Sequence, residues 1–428
     1  MQLVFLIVAG IGLCYLLTAH RRCDVFSLAF AGACLYFLPA FFGSVPGGFN
    51  DELPVPIEPE TYAVMSTVLG AIFLGAWTWD LGGSRSLSDE PLRSDGLSTS
   101  VALALAGAAL VIAVYVGGAR LFSAYKEDVL DGASRFSMLT GVGAALAAAL
   151  AVAQRRWTAC LVAGVLLLFT VYIGLRVYFV MAIIASFLVH LQGQGPQRLY
   201  IRNFTAITCA ALLVMTVFVY KCIYVLVKMG DFDQILAMLV DSEFYLDAVI
   251  SSEPFTTQLV LNEVVRTGFE TEMDYILYSV VGQLTFFSGE AGLVFRSFNN
   301  LFQPALFPEV EWGMANNIWA QMYAAGGWPL FLAFLGGFIG TLRIAARAMA
   351  TARASNRCGV ALATAYWAFY IHRNDLGYEL SELKRVLLVW GVVAIVSSAG
   401  RQREQVPATR GPDVNRPIRA PQRTRLAA

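Results

Sequence analysis

Charged side chains are scarce in this sequence. Asp, Glu, Lys and Arg make up 14% of its 428 residues, whereas an average soluble domain contains about 25%. The basic and acidic residues balance at 30 each, which gives no reason to expect nucleic acid as a partner. So little charge excludes an ordinary soluble protein.

Histidine and the motifs of soluble enzymes are also scarce. The three histidines are His20, His190 and His372, too few and too scattered for a metal centre built on imidazole ligands. There is no Walker loop, no dinucleotide-binding fingerprint, no His-Glu-x-x-His pair and no nucleophile elbow. The seven cysteines lie in apolar runs or beside basic clusters and predict neither a disulfide framework nor a zinc site. We therefore expect no metal and no cofactor.

Long apolar runs take the place of charge. Hydrophobic residues make up 57% of the chain, and the runs approach the ~20 residues that a helix needs to cross a bilayer. They do not alternate as the strands of an outer-membrane barrel do. We therefore predict an all-α integral membrane protein with about eleven transmembrane helices. The predicted spans lie near residues 2–19, 25–43, 61–79, 98–117, 136–154, 157–173, 177–192, 204–225, 317–340, 358–371 and 385–399.

The distribution of lysine and arginine predicts the orientation. Assigned to alternate loops, 19 of the 30 basic residues fall on one side, which the positive-inside rule makes cytoplasmic. The N-terminus is then outside and the C-terminus inside. The first apolar run has no basic residue before it and no small-residue cleavage site, so we interpret it as a retained span. Residues 400–428, rich in Arg and Pro, are predicted to be a disordered basic cytoplasmic tail.

One apolar stretch, from Trp157 to Gln192, is too long for a single span. Its 36 residues would form a helix of about 54 Å, whereas the hydrocarbon core is about 30 Å thick. The stretch is interrupted only by "GLR" at 174–176, so we predict a helical hairpin that turns there on the outer face, with Arg176 at the turn. The first eight helices, with this hairpin, then make up residues 1–225, and the last three make up residues 317–399.

A large outer loop lies between them, from about 226 to 316. It contains thirteen acidic residues, and enough aliphatic and aromatic residues to argue against disorder. Apolar residues at helical spacing in "FDQILAMLVDSEFYLDAVI" predict a helix that lies on the membrane or against the spans. The run "MDYILYSVVGQLTFF" is expected to be packed or re-entrant, because a further span would export the basic cluster at 343–357.

Several outer cations are candidates for binding phosphate, because guanidinium groups present rigid forks to phosphate oxygens. They are Arg120, Lys126, Arg135, Arg176, Arg266 and Arg296. Each could instead pair with a carboxylate of the loop. The surroundings of Arg296 are rich in aromatic rings and in asparagines, which suit a sugar but also populate ordinary loops. These asparagines are Asn299, Asn300, Asn316 and Asn317.

This order of features resembles the bacterial O-antigen or oligosaccharide repeat-unit polymerases. The resemblance covers most of the chain as an architecture, with many spans, a short outer hairpin and one dominant outer loop. "GLR" is similar to the Gly-x-Arg hairpin of that family, and "NNIWAQMYAAGGWPLF" is similar to its Asn-rich, Gly-Gly-type start of a helix.

The resemblance implies a glycosyltransferase of the lipid-sugar transferase type in the bacterial inner membrane, with its active site facing the periplasm. It would move a glycan from a polyprenyl pyrophosphate to the next lipid-linked repeat, without a nucleotide sugar or ATP. Arg176 with Arg266 or Arg296 would neutralise the leaving pyrophosphate. Glu272, Asp274 or Glu290 would deprotonate the acceptor hydroxyl. The implied partners, besides membrane lipids, are a repeat-unit flippase and a chain-length regulator.

Two alternatives stay open. An O-antigen ligase has a similar architecture and carries a histidine in the large outer loop; residues 226–316 contain none, but His372 is predicted to lie outside. A polysaccharide or lipid transporter would place ionisable groups near the bilayer midplane and show internal repeats. Here the charges cluster at the ends of the spans.

Overall fold

The computed structural model describes residues 1–16, 23–47, 52–82, 96–123, 125–192, 204–250, 252–284, 296–310, 313–352 and 354–405. The helices are α1 (Gln2–Leu16), α2 (Val25–Tyr36), α3 (Leu38–Phe42), α4 (Pro59–Leu81), α5 (Gly96–Gly117), α6 (Lys126–Gly132), α7 (Arg135–Ala153), α8 (Trp157–Tyr172), α9 (Val177–Gln192), α10 (Phe204–Met229), α11 (Phe232–Val240), α12 (Ser242–Ile250), α13 (Glu253–Thr267), α14 (Met273–Leu284), α15 (Asn299–Leu306), α16 (Ile318–Thr351), α17 (Ala354–Thr364) and α18 (Leu376–Gln405). Two 3₁₀ turns, Gly118–Phe122 and Tyr370–Arg373, and one π turn, Ala365–Phe369, complete the helical segments.

Within the described residues, four helical segments are long and apolar enough to cross a membrane. They are Pro59–Leu81, Gly96–Phe122, Arg135–Ala153 and Ile318–Thr351. Several other helices, α1, α2 and α8 among them, are apolar but shorter. Every predicted span coincides with one or more helical segments, so the prediction of a mostly helical membrane protein is confirmed at that level. The number of eleven spans and the orientation stay predictions.

The C-terminal helix extends into the predicted tail. The sequence places the start of the tail at residue 400, whereas α18 continues to Gln405. The remainder of the predicted tail, residues 406–428, lies outside the described residues.

A β-hairpin between α3 and α4 is a feature that the sequence does not predict. Its strands, β1 (Ser44–Gly47) and β2 (Glu52–Pro56), pair antiparallel. The side chain of Asn262, in the middle of α13, donates to the carbonyl of Pro56 at 3.3 Å and accepts from the amide of Glu58 at 2.9 Å. The hairpin therefore fastens the outer loop to the start of α4.

The reversal between α8 and α9 occurs at the predicted position. α8 ends at Tyr172 and α9 begins at Val177. Gly174 has φ of 87°, a left-handed conformation that glycine adopts without steric cost. Arg176 directly precedes α9, so the turn presents it at the end of the helical hairpin.

The predicted span at 317–340 coincides with the first two thirds of α16, which a glycine pair interrupts. Asn317 caps its start, accepting from the first free amides at 2.9 and 3.0 Å. Gly327 has φ of 58° and ψ of −152°, a region open essentially only to glycine. A Cβ atom on Gly326 would lie 2.7 Å from Cβ of Leu330. Two helices, 318–325 and 328–351, therefore meet at the pair.

The outer loop is helical but divided more finely than predicted. The single helix expected over 232–250 is two nine-residue helices, α11 and α12. Asp241 separates them, because its side chain accepts from the amide of Glu243 at 2.9 Å and so begins α12. The described part of α14, Met273–Leu284, packs against α18 and α16, in agreement with a packed segment.

The described helices form one main core and two small separate ones. The main core runs through most of the bundle and includes Phe30, Trp319 and Phe338. One small core consists of Leu121, Val129 and Ile173. The other joins α10, α11 and α12 through Ile223, Ile235 and Phe244. These three helices are thus a packing unit of their own beside the bundle.

Candidate functional site

A change of helical pitch places two neighbouring residues in different surroundings. α17 is followed by the π turn Ala365–Phe369 and then by the 3₁₀ turn Tyr370–Arg373. Such π turns are rare in proteins, and those that occur often lie at functional sites. His372 on the 3₁₀ turn is buried, whereas the next residue, Arg373, is partly exposed.

Arg373 forms an ion pair with Glu253, the first residue of α13. Its Nε lies 2.6 Å from Oε2 of Glu253, and 26% and 21% of the two side chains are exposed. The guanidinium carbon lies 5.2 Å from the centre of the Tyr370 ring. Burial alone would lower the pKa of Arg373, but the Glu253 carboxylate and the neighbouring tyrosines raise it. The arginine therefore stays charged.

Two further cations approach the same carboxylate. Arg176, at the turn between α8 and α9, is half-buried and interacts electrostatically with Glu253 and Arg373. Lys221 of α10 is also half-buried and interacts with Glu253, Arg176 and Arg373. Burial lowers the pKa of Arg176, whereas the interaction with Glu253 raises it. Because the ordinary pKa of a guanidinium is very high, Arg176 remains charged. We call Arg176, Lys221, Glu253 and Arg373 the cation cluster.

The cation cluster holds a surplus of positive charge. Three of its side chains are cations. Arg373 pairs with the carboxylate of Glu253, and Arg176 and Lys221 interact with it electrostatically without forming an ion pair. Neither Arg176 nor Lys221 forms an ion pair with any other residue that the structure describes. Like charges in a partly buried site repel one another more strongly than in water. The arrangement therefore favours an anionic ligand.

Tyrosines surround the cation cluster. Tyr36 of α2 and Tyr370 of the 3₁₀ turn are buried and interact with Glu253 and Arg373. Tyr224, one turn beyond Lys221 on α10, interacts with Arg176. A phenol can donate a hydrogen bond to a phosphate oxygen or exchange one with a sugar hydroxyl. The cluster thus offers polar donors in addition to its charge.

Two further carboxylates lie nearby but are fully enclosed. Glu379 and Glu382, in the first turns of α18, are 0% exposed. Glu379 accepts from Asn374 Nδ2 at 3.0 Å. Glu382 pairs with Arg385 and accepts from the Tyr178 hydroxyl at 3.4 Å. Because no surface of either carboxylate is accessible, these residues hold the segment around Arg373 in place and do not contact a ligand.

Of the cations predicted from the sequence, the structure brings Arg176 alone into the described cluster. Arg266, at the other end of α13, pairs with Glu263 at 2.5 Å. Its hydrogen bonds with Glu263 raise the pKa of Arg266. Along the helix axis it lies about 20 Å from Glu253. The side chains of three other predicted cations are exposed: Arg120, Arg135 and Arg296. The side chain of Lys126 lies outside the described residues.

The predicted sugar-binding asparagines have partners within the protein in three cases out of four. The side-chain amides of Asn299, Asn316 and Asn317 donate to protein oxygens at 3.5, 3.0 and 3.0 Å. Asn317 is also the cap of α16, whereas Asn300 is exposed. The paired asparagines therefore have structural contacts, and their binding of sugar stays a prediction.

Among the described residues, two of the three predicted general bases, Glu272 and Asp274, form no ion pair with the cation cluster. Both are exposed residues beside the first turn of α14. Glu290 lies outside the described residues.

Three members of the cation cluster, Lys221, Glu253 and Arg373, are not among the site residues predicted from the sequence. Lys221 and Arg373 carry a usable signal, since each is an ionisable residue within or next to a predicted span, where a charge is costly and often functional. Glu253 is one of thirteen acidic residues in the loop, and nothing in its local pattern distinguishes it.

His372, the neighbour of Arg373, occupies an aromatic box. It is 0% exposed, and the ring centres of Tyr36, Phe37, Trp319 and Phe338 lie within 6.4 Å of its own. Its Nδ1 accepts from Trp319 Nε1 at 3.0 Å, so the neutral ring carries its proton on Nε2. Burial lowers the pKa of His372, which follows the predicted span 358–371, to about 3. The ring is therefore neutral at physiological pH and closed to a ligand.

Known proteins offer no template for this arrangement. No protein-family model, curated protein or solved structure matches the chain. Within the described ranges, no group of three or more His, Cys, Asp or Glu side chains could hold a metal ion. The assignment of a function therefore depends on the geometry and charge of the cation cluster.

Proposed function

We propose that the protein polymerises lipid-linked oligosaccharide repeat units on the outer face of the bacterial cytoplasmic membrane. In this reaction, a glycan leaves one polyprenyl pyrophosphate and is joined to the sugar of the next lipid-linked repeat. The protein is then a glycosyltransferase whose active site faces the periplasm. The resemblance of the sequence to repeat-unit polymerases motivates the proposal, and the cation cluster supports it.

The observation that carries the proposal is the convergence of Arg176, Lys221 and Arg373 around one carboxylate, Glu253. A pyrophosphate diester carries about two negative charges, which match the surplus. Guanidinium groups bind phosphate oxygens in a bidentate geometry. Cations that are already in place also stabilise the charge that develops on the leaving pyrophosphate, an effect of about 3 kcal/mol or more in other enzymes.

The origin of the four residues is a second support. They come from the α8–α9 turn, α10, α13 and the turn before α18. The positive-inside rule assigns the two turns and α13 to the outer side, and Lys221 to the outer end of a span. A polyprenyl pyrophosphate presents its head group at the membrane surface. A cation cluster at the outer ends of the helices suits such a substrate.

The two alternatives find less support. A ligase that depends on an outer histidine would need His372, which is buried and neutral in its aromatic box. A transporter would place its ionisable groups near the midplane, whereas Arg176 and Arg373 lie at helix ends.

The test is polymerisation by the purified protein. We would reconstitute it in nanodiscs, supply only polyprenyl pyrophosphate-linked oligosaccharide extracted from the source cells, and follow the products on a gel. The wild type is compared with Arg176→Ala. The matched control is Arg347→Ala, which removes an exposed arginine from the cytoplasmic end of α16.

We expect a ladder of products from the wild type and from Arg347→Ala, and none from Arg176→Ala. Thermal unfolding of each variant checks that the fold is intact. A folded wild type that forms no ladder would contradict polymerisation. A full ladder from Arg176→Ala would instead contradict the role of the cation cluster.

A further inference from the structure

Glu253 differs from the other described carboxylates near the cation cluster in what it faces and in how accessible it is. Arg176, Lys221 and Arg373 all interact with it. Its side chain is 21% exposed, whereas Glu379 and Glu382 are 0% exposed. A general base must come within hydrogen-bond reach of the proton that it removes. Of these carboxylates, Glu253 alone can contact a ligand bound to the cluster.

We infer that Glu253 is the general base that takes the proton from the acceptor hydroxyl of the incoming lipid-linked glycan. The inference rests on the proposed polymerase function. It assigns the carboxylate a chemical step in addition to its ion pair with Arg373.

The step balances without another reactant. The acceptor oxygen forms a bond to the anomeric carbon of the donor glycan. The bond from that carbon to the pyrophosphate oxygen breaks, and its electron pair stays on the pyrophosphate. The proton of the acceptor hydroxyl moves to the carboxylate of Glu253, from which it later passes to water.

The charges of the protein and the substrate change together in this step. With Glu253 ionised, three cations and one carboxylate leave a surplus of two positive charges, which faces about two negative charges on the donor diester. Protonation of Glu253 raises the surplus to three when the departing monoester reaches about three negative charges. Proton transfer to Glu253 therefore strengthens the hold on the leaving group as that group forms.

The ion pair with Arg373 also connects donor binding to this step. Phosphate oxygens that bind Arg373 compete with the Glu253 carboxylate for the guanidinium, which leaves the carboxylate free to accept a hydrogen bond from the acceptor hydroxyl. Among the described residues, the charged and titratable groups that interact with Glu253 are Arg176, Lys221, Arg373, Tyr36 and Tyr370.

The test uses Glu253→Gln and two separate readouts. The first is binding of polyprenyl pyrophosphate alone, a probe that requires no catalysis. The second is the rate of a single glycan transfer from the extracted lipid-linked oligosaccharide. The matched control is Glu243→Gln, which removes an exposed carboxylate from α12.

We expect Glu253→Gln to bind polyprenyl pyrophosphate about tenfold more tightly, because a negative charge is removed beside the ligand. We expect its transfer rate to fall by about 100-fold or more. Glu243→Gln should match the wild type in both readouts. A residue that merely positioned Arg373 would lose affinity and rate together, and that result would overturn the inference.

Transfer by Glu253→Gln within about threefold of the wild-type rate would also overturn the inference. In that case a wild type that still forms a ladder would leave the polymerase function standing. If Glu253→Gln does not fold, Glu253→Asp decides the matter. Its carboxylate is withdrawn by one methylene, so we expect a transfer rate that is slower than the wild-type rate but faster than that of a variant without a carboxylate. An unchanged rate would count against Glu253 as the base.

Discussion

Each end of α13 has a Glu–Arg ion pair, but only one of the two pairs is formed within the helix. At the C-terminal end, Glu263 and Arg266 pair one turn apart at 2.5 Å, with half of the Arg266 side chain exposed. At the N-terminal end, Glu253 pairs with Arg373, which comes from a distant segment of the chain. Two further cations, Arg176 and Lys221, face the N-terminal end.

The difference lies in where the partners come from. A pair made within one helix follows from helical spacing, is neutral, and contributes less than about 1 kcal/mol when it is exposed. A pair assembled from distant segments can gather charges that no local partner neutralises. Only the second arrangement leaves charge available for a ligand. The following experiments test this contrast, from the largest expected effect to the smallest.

Removing the arginine of each ion pair should affect ligand binding strongly at the N-terminal end of α13 and hardly at the C-terminal end. We expect Arg373→Ala to weaken the binding of polyprenyl pyrophosphate by about 100-fold, because hydrogen bonds to charged groups contribute about 1.5–3 kcal/mol each. Arg266→Ala should change the affinity by less than about twofold. Native mass spectrometry of the purified variants measures both. Similar losses of affinity in Arg373→Ala and Arg266→Ala would show that binding does not depend on the difference between the two ion pairs.

Arg373→Ala also removes the partner of Glu253, so its fold needs a separate check. Arg373→Lys keeps the charge but lacks the planar fork, and we expect an intermediate loss of about tenfold. A lysine variant that is folded and binds as weakly as the alanine variant would indicate that the fork, and not the charge, holds the pyrophosphate.

Acid should act on the fold next to the cluster through His372. Its pKa in the folded protein is about 3, below the ~6.5 of an unfolded chain, so its contribution is present above pH ~6.5 and is lost as the pH falls toward 3. From pH 7 to pH 5 we expect the free energy of unfolding to decrease by about 2 kcal/mol. His372→Gln should flatten this dependence, as measured by chemical unfolding in detergent. Equal slopes for the two proteins would mean that another group titrates.

Asn317 anchors α13 between its two ends. Its side chain caps α16 and donates to the carbonyl of Thr257 at 3.0 Å. We expect Asn317→Ala to lower the free energy of unfolding by about 1–2 kcal/mol, because a helix cap and a buried hydrogen bond are lost. Asn300→Ala, at an exposed position, should change it by less than about 0.5 kcal/mol. Thermal unfolding distinguishes the two, and equal effects would contradict the anchoring role.

The smallest effect is expected at the C-terminal end of α13. Glu263→Gln should lower the free energy of unfolding by less than about 1 kcal/mol, because Arg266 is half exposed and water replaces its partner. The affinity for polyprenyl pyrophosphate should not change. A loss of binding in this variant would mean that the two ends of α13 are coupled.

The parts of the fold that the sequence predicts correctly are those that the bilayer dictates. The stretch from Trp157 to Gln192 must reverse because it exceeds the membrane thickness, and its only polar interruption places Arg176 at the turn. The helical nature of the outer loop also follows from local spacing. In both cases one segment of the chain contains all the information.

The parts that the sequence does not predict depend on contacts between distant segments or on single backbone conformations. Lys221, Glu253 and Arg373 meet only after α10, α13 and the turn before α18 are packed. The break at Gly327 depends on φ of 58°, and a hydropathy window averages over it. In the sequence, Asp241 looks like one polar residue within an amphipathic helix; its role in beginning α12 becomes visible only when its side chain accepts from the amide of Glu243.

The π turn at Ala365–Phe369 has a consequence for the register of the chain. Each residue of an α-helix turns by about 100°, so one residue more or fewer rotates everything that follows by that angle. With the extra residue of the π turn, His372 points into the aromatic box and Arg373 points toward Glu253. Deletion of a single alanine from this turn would therefore turn Arg373 to the direction that His372 now has, and Asn374 to that of Arg373, without changing a residue of the site.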